Sequence, residues 1–354
     1  MKNRYCIGAL GVGVLVAGCG GGGNSSSTST PSPSVGNFTQ ANLVADQAGV
    51  AAWTDPKLVN PWGVSYSPTG AFWLSDNGSG YSTLYNGAGA PQSLVVTIPA
   101  AGGKSNGPVS GQVYNSTTDF QLNGSPASFI FDSEDGLITA WGGGATATTV
   151  VDESASGAVY KGLAMGINGG ANYLYAANFN AGTVEVFDKT FTKTSSFTDP
   201  NLPAGYAPFG ITNIGGSLYV TFALQNAAKH DDVAGAGWGY VDVFSTSGTL
   251  MTRLVSQGAL NAPWGLVQAP AGFGTIGGDL LVGNFGDGKV NVYNISSGAL
   301  IGHLSNSTGT PLVIPGLWAL IFGNGGSGGA TNTMYFTAGP DNENHGLFGS
   351  LAPK

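Results

Sequence analysis

Gly182-Thr-Val-Glu-Val-Phe187, Gly239-Tyr-Val-Asp-Val-Phe244 and Gly288-Lys-Val-Asn-Val-Tyr293 repeat one pattern, a glycine followed by alternating apolar and polar residues. Period-two alternation after a turn glycine describes a half-buried strand leaving a hairpin. The same register continues at Gly80, Gly136 and Gly346, and the six glycines are 56, 46, 57, 49 and 58 residues apart by subtraction. A repeat of this length in a strand-rich chain predicts a β-propeller with one blade per repeat.

A second register supports the first. Gly63, Gly111, Gly162, Gly210, Gly265 and Ala319 open another strand in each unit, several after proline and an aromatic, as in Pro61-Trp62-Gly63, Pro208-Phe209-Gly210 and Pro263-Trp264-Gly265. Strands nearest a propeller axis are crowded, and a residue without a side chain fits there. The expectation is an all-β fold, a six-bladed propeller of four-stranded antiparallel blades over residues 37–354. The last unit is one strand short, and Phe38–Asp46 before the first repeat has strand-like composition. That N-terminal strand is expected to join the last blade and close the ring, because an open ring would leave two sheet edges unpaired.

Residues 1–18 read as a lipoprotein signal peptide, with Lys2 and Arg4 ahead of an apolar stretch too short to span a bilayer. Val16-Ala17-Gly18-Cys19 resembles a lipobox, which makes Cys19 the expected lipidation site. Residues 19–36 then form the lipidated cysteine and a Gly/Ser/Thr/Pro tether. This predicts a bacterial envelope protein held by its lipid anchor alone, on the outer membrane because Gly20 rather than Asp follows the cysteine. Cys6 leaves with the signal peptide, so the mature fold has no disulfide, Cys-ligated zinc or Cys-linked haem. Without Lys2 and Arg4, nine basic residues face 19 acidic ones. An acidic chain without a basic cluster argues against nucleic acid as a partner. The chain is expected to be a monomer.

Neighbouring antiparallel strands alternate direction, so the loops entering the inner strands and those before the repeat glycines should share one channel face. Four residues before the repeat glycine stand Asp76, Asp132, Asn178, Asn284 and Asn342. Such side chains either stabilise tight turns or ring the channel with oxygens. Two units depart from the pattern. The fourth carries Lys229-His-Asp-Asp232 and the sixth Asp341-Asn-Glu-Asn-His345, so the scarce titratable groups His230, Asp231, Asp232, Glu343 and His345 gather in two loops. Histidine beside carboxylates can bind ligands, hold a metal or move protons, or it can staple a solvated loop. His303, on an outer strand, is expected to face solvent. Trp62, Trp264 and Trp318 recur at inner-strand entries and serve either as an aromatic platform for a ligand or as packing between blades.

The repeats resemble NHL-type six-bladed propellers. Asn60-Pro-Trp-Gly63, Lys229-His-Asp-Asp-Val-Ala-Gly235, Ala262-Pro-Trp-Gly-Leu266, Gly283-Asn-Phe-Gly-Asp-Gly288, Leu317-Trp-Ala-Leu320 and His345-Gly-Leu-Phe-Gly349 are more closely similar to a bacterial family of conserved hypothetical proteins, some with C-terminal sorting tails. That resemblance implies a fold and no catalytic residues. The expected function is a binding module whose channel face takes a small molecule, a glycan or an envelope protein, with no cofactor evident. The alternative is a metal-dependent hydrolase similar to the calcium-dependent lactonases, with Ca²⁺ at the channel mouth near Asp76, Asn178, Asn284 and Glu343.

Overall fold

The computed structural model describes residues 33–354. The expected signal peptide, Cys19 and the tether as far as residue 32 lie outside the described residues. Six sheets form six blades, whose innermost strands begin at Pro61, Val109, Tyr160, Tyr206, Pro263 and Leu317. Each of the first five blades runs in sequence from the innermost strand outward, every pair antiparallel. The sixth takes only its inner three strands from the end of the chain. Phe38–Ala45 pairs antiparallel with Leu347–Pro353 as the fourth, and Trp53–Thr54 adds a short parallel fifth. Phe38, Val44 and Ala45 are buried there, so the closing strand contributes apolar surface as well as hydrogen bonds.

The innermost strands carry the constraint expected of an axis. A Cβ on Gly63 would lie 2.6 Å from the Ser110 carbonyl oxygen, one on Gly210 2.1 Å from that of Trp264, and one on Gly265 2.5 Å from that of Trp318. Backbone therefore packs on backbone between adjacent blades. Each inner strand also shifts register at this point, a β-bulge that spans the residue before the small one. A bulge frees an amide from the ladder, and second-strand side chains recapture it. Gly111 donates to Asp132 Oδ1 at 2.5 Å, Gly210 to Thr221 Oγ1 at 2.8 Å and Ala319 to Thr337 Oγ1 at 3.0 Å. Asp132 is thus a backbone partner rather than part of an open ring of oxygens.

The repeat glycines divide into two kinds. Gly80, Gly136, Gly182 and Gly288 adopt positive φ in their turns. Gly239 and Gly346 do not, and are small because Pro263 and the Leu58 carbonyl crowd them.

Two expectations are corrected at the N-terminal end. Ser34 and Val35, assigned to the tether, pair parallel with His303 and Leu304 on the outer edge of blade five. The His303 amide donates to Pro33 O at 3.0 Å, and Ser305 N to Val35 O at 3.3 Å. His303 is consequently buried rather than solvent-facing, and burial lowers its pKa. The strand alternation correctly put it on an outer strand, but the segment that covers that strand was read as linker.

Gly210→Ala is expected to lower unfolding free energy by about 1–3 kcal/mol, since neither the new methyl nor the facing backbone has room to move. Ala319→Gly should cost about 1 kcal/mol or less. Urea denaturation of the two variants measures the difference, and equal midpoints would contradict backbone-limited packing at the axis.

Candidate functional site

The bulge fixes where the residue preceding each small one is held. In chain order these residues are Trp62, Ser110, Lys161, Phe209, Trp264 and Trp318. Trp62 and Trp318 stack at 3.7 Å, and Trp264 meets them edge-on at 6.3 and 5.9 Å. Phe209 packs against both Trp62 and Trp318, and Phe285 stacks on Trp318 at 4.2 Å. The three tryptophans are thus a buried aromatic layer across the end of the channel, packed on one another, and not an open platform. The inner-strand residues that follow them line a small cavity of about 80 Å³ along the axis.

Blade three breaks this layer with a lysine. Lys161 is 2% exposed, and its Nζ lies 4.9 Å from the centre of the Trp62 ring and 5.8 Å from that of Phe179. It is ion-paired with Glu134 Oε1 and stands 3.8 Å from Asp231 Oδ1. Glu134 Oε2 accepts from Asn77 Nδ2 at 2.7 Å. Asn60 joins the network from the other side, donating to Glu343 Oε2 at 2.8 Å and accepting from Trp318 Nε1 at 2.9 Å. The Trp264 indole donates to the Lys161 carbonyl at 2.8 Å. Removing one partner from such a buried pair strands a charge in a poor solvent for it.

The two long loops both reach this network, but they contribute unequally. From blade four, His230 Nδ1 lies 2.6 Å from Asp231 Oδ1, and both side chains are exposed. Asp232 sits deeper, with an Oδ2 that is shut off from water and has no hydrogen-bond partner. Burial raises the Asp232 carboxyl to about 7, Lys161 pulls it down, and Glu343 pushes it up again. Glu343, from blade six, is also raised, first by burial and then by Glu134, against the Asn60 hydrogen bond and Lys161. Burial pushes Asp231 upward, but the His230 hydrogen bond and Lys161 outweigh it, so its carboxyl lies below the ordinary range. Asn60, Lys229, Asp341, Asn342 and Glu343 all hold positive φ, concentrating backbone strain in the loops of this face. Beside the network, Ala234 of one loop and Asp341 and Asn342 of the other line a cavity of about 390 Å³ with Phe285, Asp287 and Val313.

His345 faces elsewhere. Its Nδ1 is 2.8 Å from Asp46 Oδ2 and its Nε2 2.8 Å from Gln47, so it ties the blade-six loop to the chain just after the closing strand. The oxygen set expected around Ca²⁺ has separate partners. Asp76 is fully buried near Thr83, Asp55 and Tyr85, and burial raises its pKa. Asn178 bonds Glu185 and its own turn, and Asn284 bonds Asp287 and the Ala259 carbonyl. Of those four residues, Glu343 is the one in the Lys161 network. Among the described residues, Glu134, His230 and Asp231 are the histidine and carboxylate groups close enough to share an ion, each offering an atom within 4.8 Å of the others.

Sequence reasoning missed Lys161, Glu134, Asn60 and Asn77 as site residues. The signal for Lys161 was present, because it is the one charged residue in the position that precedes the small inner-strand residue. Glu134 carries no comparable mark, and its role follows from lying opposite Lys161.

No protein-family model matches the chain. Uncharacterized protein R648 of Acanthamoeba polyphaga mimivirus is 31% identical over 330 residues, covering 87% of this chain and 78% of the relative. Uncharacterized protein L690 of the same virus is 30% identical over 333 residues, covering 87% and 84%. Among solved structures, a streptogramin B lyase superposes with a TM-score of 0.54 at 11% identity, covering 90% of this chain and 98% of that one. A gluconolactonase from Xanthomonas campestris gives 0.53 at 13%, covering 84% and 87%. At these identities the solved structures share the propeller fold alone.

Folded-state stability is expected to fall as pH rises from about 4 to about 7. Asp232 and Asp132, the latter also raised to about 7 chiefly by burial, keep protons in the folded state that the unfolded chain releases near the ordinary value of 3.8. The folded state binds more protons across that window, so raising pH favours unfolding. Asp232→Asn should flatten the profile, as measured by chemical denaturation at a series of pH values; an unchanged slope would count against a proton held on Asp232.

Proposed function

We propose, for a chain that belongs to the family of mimivirus proteins R648 and L690, that it is a binding module whose channel face takes a small polar ligand. One observation carries this reading: a buried lysine over an indole ring, surrounded by Glu134, Asp231, Asp232 and Glu343 contributed by three other blades. Burying that many ionisable groups costs stability, and strongly perturbed carboxyls at a concave mouth concentrate where proteins bind or react. A ligand with hydroxyl or amino groups, such as a glycan, would pair with the exposed Asp231 and His230 and with the unsatisfied oxygen of Asp232. Equilibrium dialysis against a panel of oligosaccharides and small polar metabolites tests it. Binding to the wild type that is lost in an Asp232→Asn/Glu343→Gln variant is the expected result. Equal binding by the variant, or no binding by the wild type, refutes it.

A second reading, a metal-dependent hydrolase at the same mouth, is favoured by the convergence of Glu134, His230 and Asp231. The lyase and lactonase propellers support this only as relatives in fold. The NHL-like character of the repeats and the likeness to a bacterial family belong to the same proposal.

The lipobox at Val16–Cys19 supports a lipid-anchored envelope protein, placed on the outer membrane by Gly20. Cys19→Ser is expected to move the protein from the membrane to the soluble fraction on cell fractionation without altering its melting curve. A variant retained in membranes at wild-type levels would remove the anchor from this proposal.

A further inference from the structure

Trp62 and Phe285 both stack on Trp318, at 3.7 and 4.2 Å with interplanar angles of 21° and 25°. Phe285 is the ring of this stack that reaches the cavity of about 390 Å³ beside the mouth. The cavity wall is mixed in character. Phe285 and Val313, the latter 51% exposed, are apolar, while Asp287, Asp341 and Asn342 supply carboxylates and an amide. Trp238, 39% exposed, extends the apolar part. A Cβ on Gly235 would lie 2.4 Å from the Trp238 ring, and Gly235 follows the lining residue Ala234. Asn261 Oδ1 accepts from the Gly235 amide at 2.7 Å, and a Cβ on Gly286 would lie 2.1 Å from that oxygen. The loops of blades four and five are thereby locked side by side, with Trp238 and Phe285 on one surface. Apolar side chains gathered around one opening, unlike those scattered singly, mark a place where something binds. The polar groups do not call for an ion. Asp287 has Lys289 Nζ at 3.1 Å and Asn284 Nδ2 at 3.0 Å, and Asp341 has His345 Nε2 at 3.8 Å. An anion is disfavoured by a chain with 19 acidic residues against 11 basic ones.

We propose that this cavity and Trp238 form a cleft for a neutral oligosaccharide, with one pyranose ring against Phe285 and a neighbouring ring against Trp238. The inference deepens the binding function proposed above and rests on it, since the cleft opens beside the mouth: Asn342 precedes Glu343, and Ala234 stands two residues after Asp232. A pyranose has an apolar C–H face and a rim of hydroxyls. The face packs on an aromatic ring, as other apolar groups do. The hydroxyls donate to the carboxylates of Asp287 and Asp341 and accept from the Asn342 amide. An apolar protein segment would cover the same rings, but it would strip water from those carboxylates and return no hydrogen bonds. The cavity volume lies in the range of small-molecule sites. A single ring reaches one aromatic platform and a longer chain reaches both, so affinity rises with chain length.

Isothermal titration of the full chain with maltotriose, cellotriose or triacetylchitotriose, each alone, tests the cleft. At least one trisaccharide is expected to bind, about tenfold or more tighter than its own monosaccharide. Trp238→Ala and Asp341→Ala, both at exposed side chains, should each weaken that trisaccharide severalfold while keeping the wild-type melting temperature. Phe285→Leu, which keeps an apolar group but removes the ring, should weaken it at least tenfold. Because Phe285 also touches Trp318, Trp238→Ala and Asp341→Ala decide the matter if Phe285→Leu fails to fold. Undiminished affinity in both of those variants, or a monosaccharide that binds as tightly as the trisaccharide, would overturn the cleft. Trisaccharide binding lost in Asp232→Asn/Glu343→Gln but kept in Trp238→Ala and Asp341→Ala would overturn the cleft and leave the mouth as the binding site. A wild type that binds a small polar metabolite and none of the three trisaccharides would do the same. A wild type that binds neither would overturn both.

Discussion

Everything at the functional end of this propeller depends on the contact between backbones around its axis. Adjacent inner strands approach so closely that a methyl group at Gly63, Gly210 or Gly265 would collide with the next blade's carbonyl oxygen. The chain meets that limit with a small residue and a bulge in all six blades. The bulge re-aims the neighbouring side chain, so the residue before the small one becomes a tile in a layer closing the channel. Five tiles are neutral and one is Lys161. The same local geometry therefore builds both the hydrophobic seal and the single buried cation on it.

That cation organises its surroundings. An ammonium over Trp62 and Phe179 is tolerable only with a close counter-charge, which Glu134 supplies from blade two. Asn77 holds the other oxygen of Glu134, and Asn60 links the Trp318 indole to Glu343. The aromatic layer and the polar network are thus one structure, joined through the indole nitrogens. Asp232 is left with the least compensation, which accounts for its raised carboxyl and unpartnered oxygen together.

The fold was legible because its constraints repeat. Turn glycines, axial glycines and strand alternation recur six times, and each copy corroborates the others. Ring closure by Phe38–Ala45 was legible from a missing strand. The site was legible only in part, because it is made where the repeats differ. The long loops stood out by length and composition, and they do deliver His230, Asp231, Asp232 and Glu343 to one mouth. His345 stood out equally but is a staple for the closing segment. Lys161 was concealed in a regular strand, and its pairing with Glu134 joins different blades, a relation that no local pattern encodes. Ser34 and Val35 look like linker because two residues carry no periodicity; their pairing is decided by the exposed edge they meet.

The docking of Ser34 and Val35 on blade five has a mechanical consequence. The chain crosses from that edge directly into the closing strand of blade six, with Phe38 packed on Phe273 at the crossing. Tension applied at the N-terminus loads the short Ser34–Val35 ladder before it reaches Phe38–Ala45. The weaker clip therefore yields first and lengthens the lead, while the strand that completes the ring remains unloaded. A pull on the N-terminal end is absorbed at the rim of one blade, far from the channel mouth, and the ring acquires a sacrificial joint.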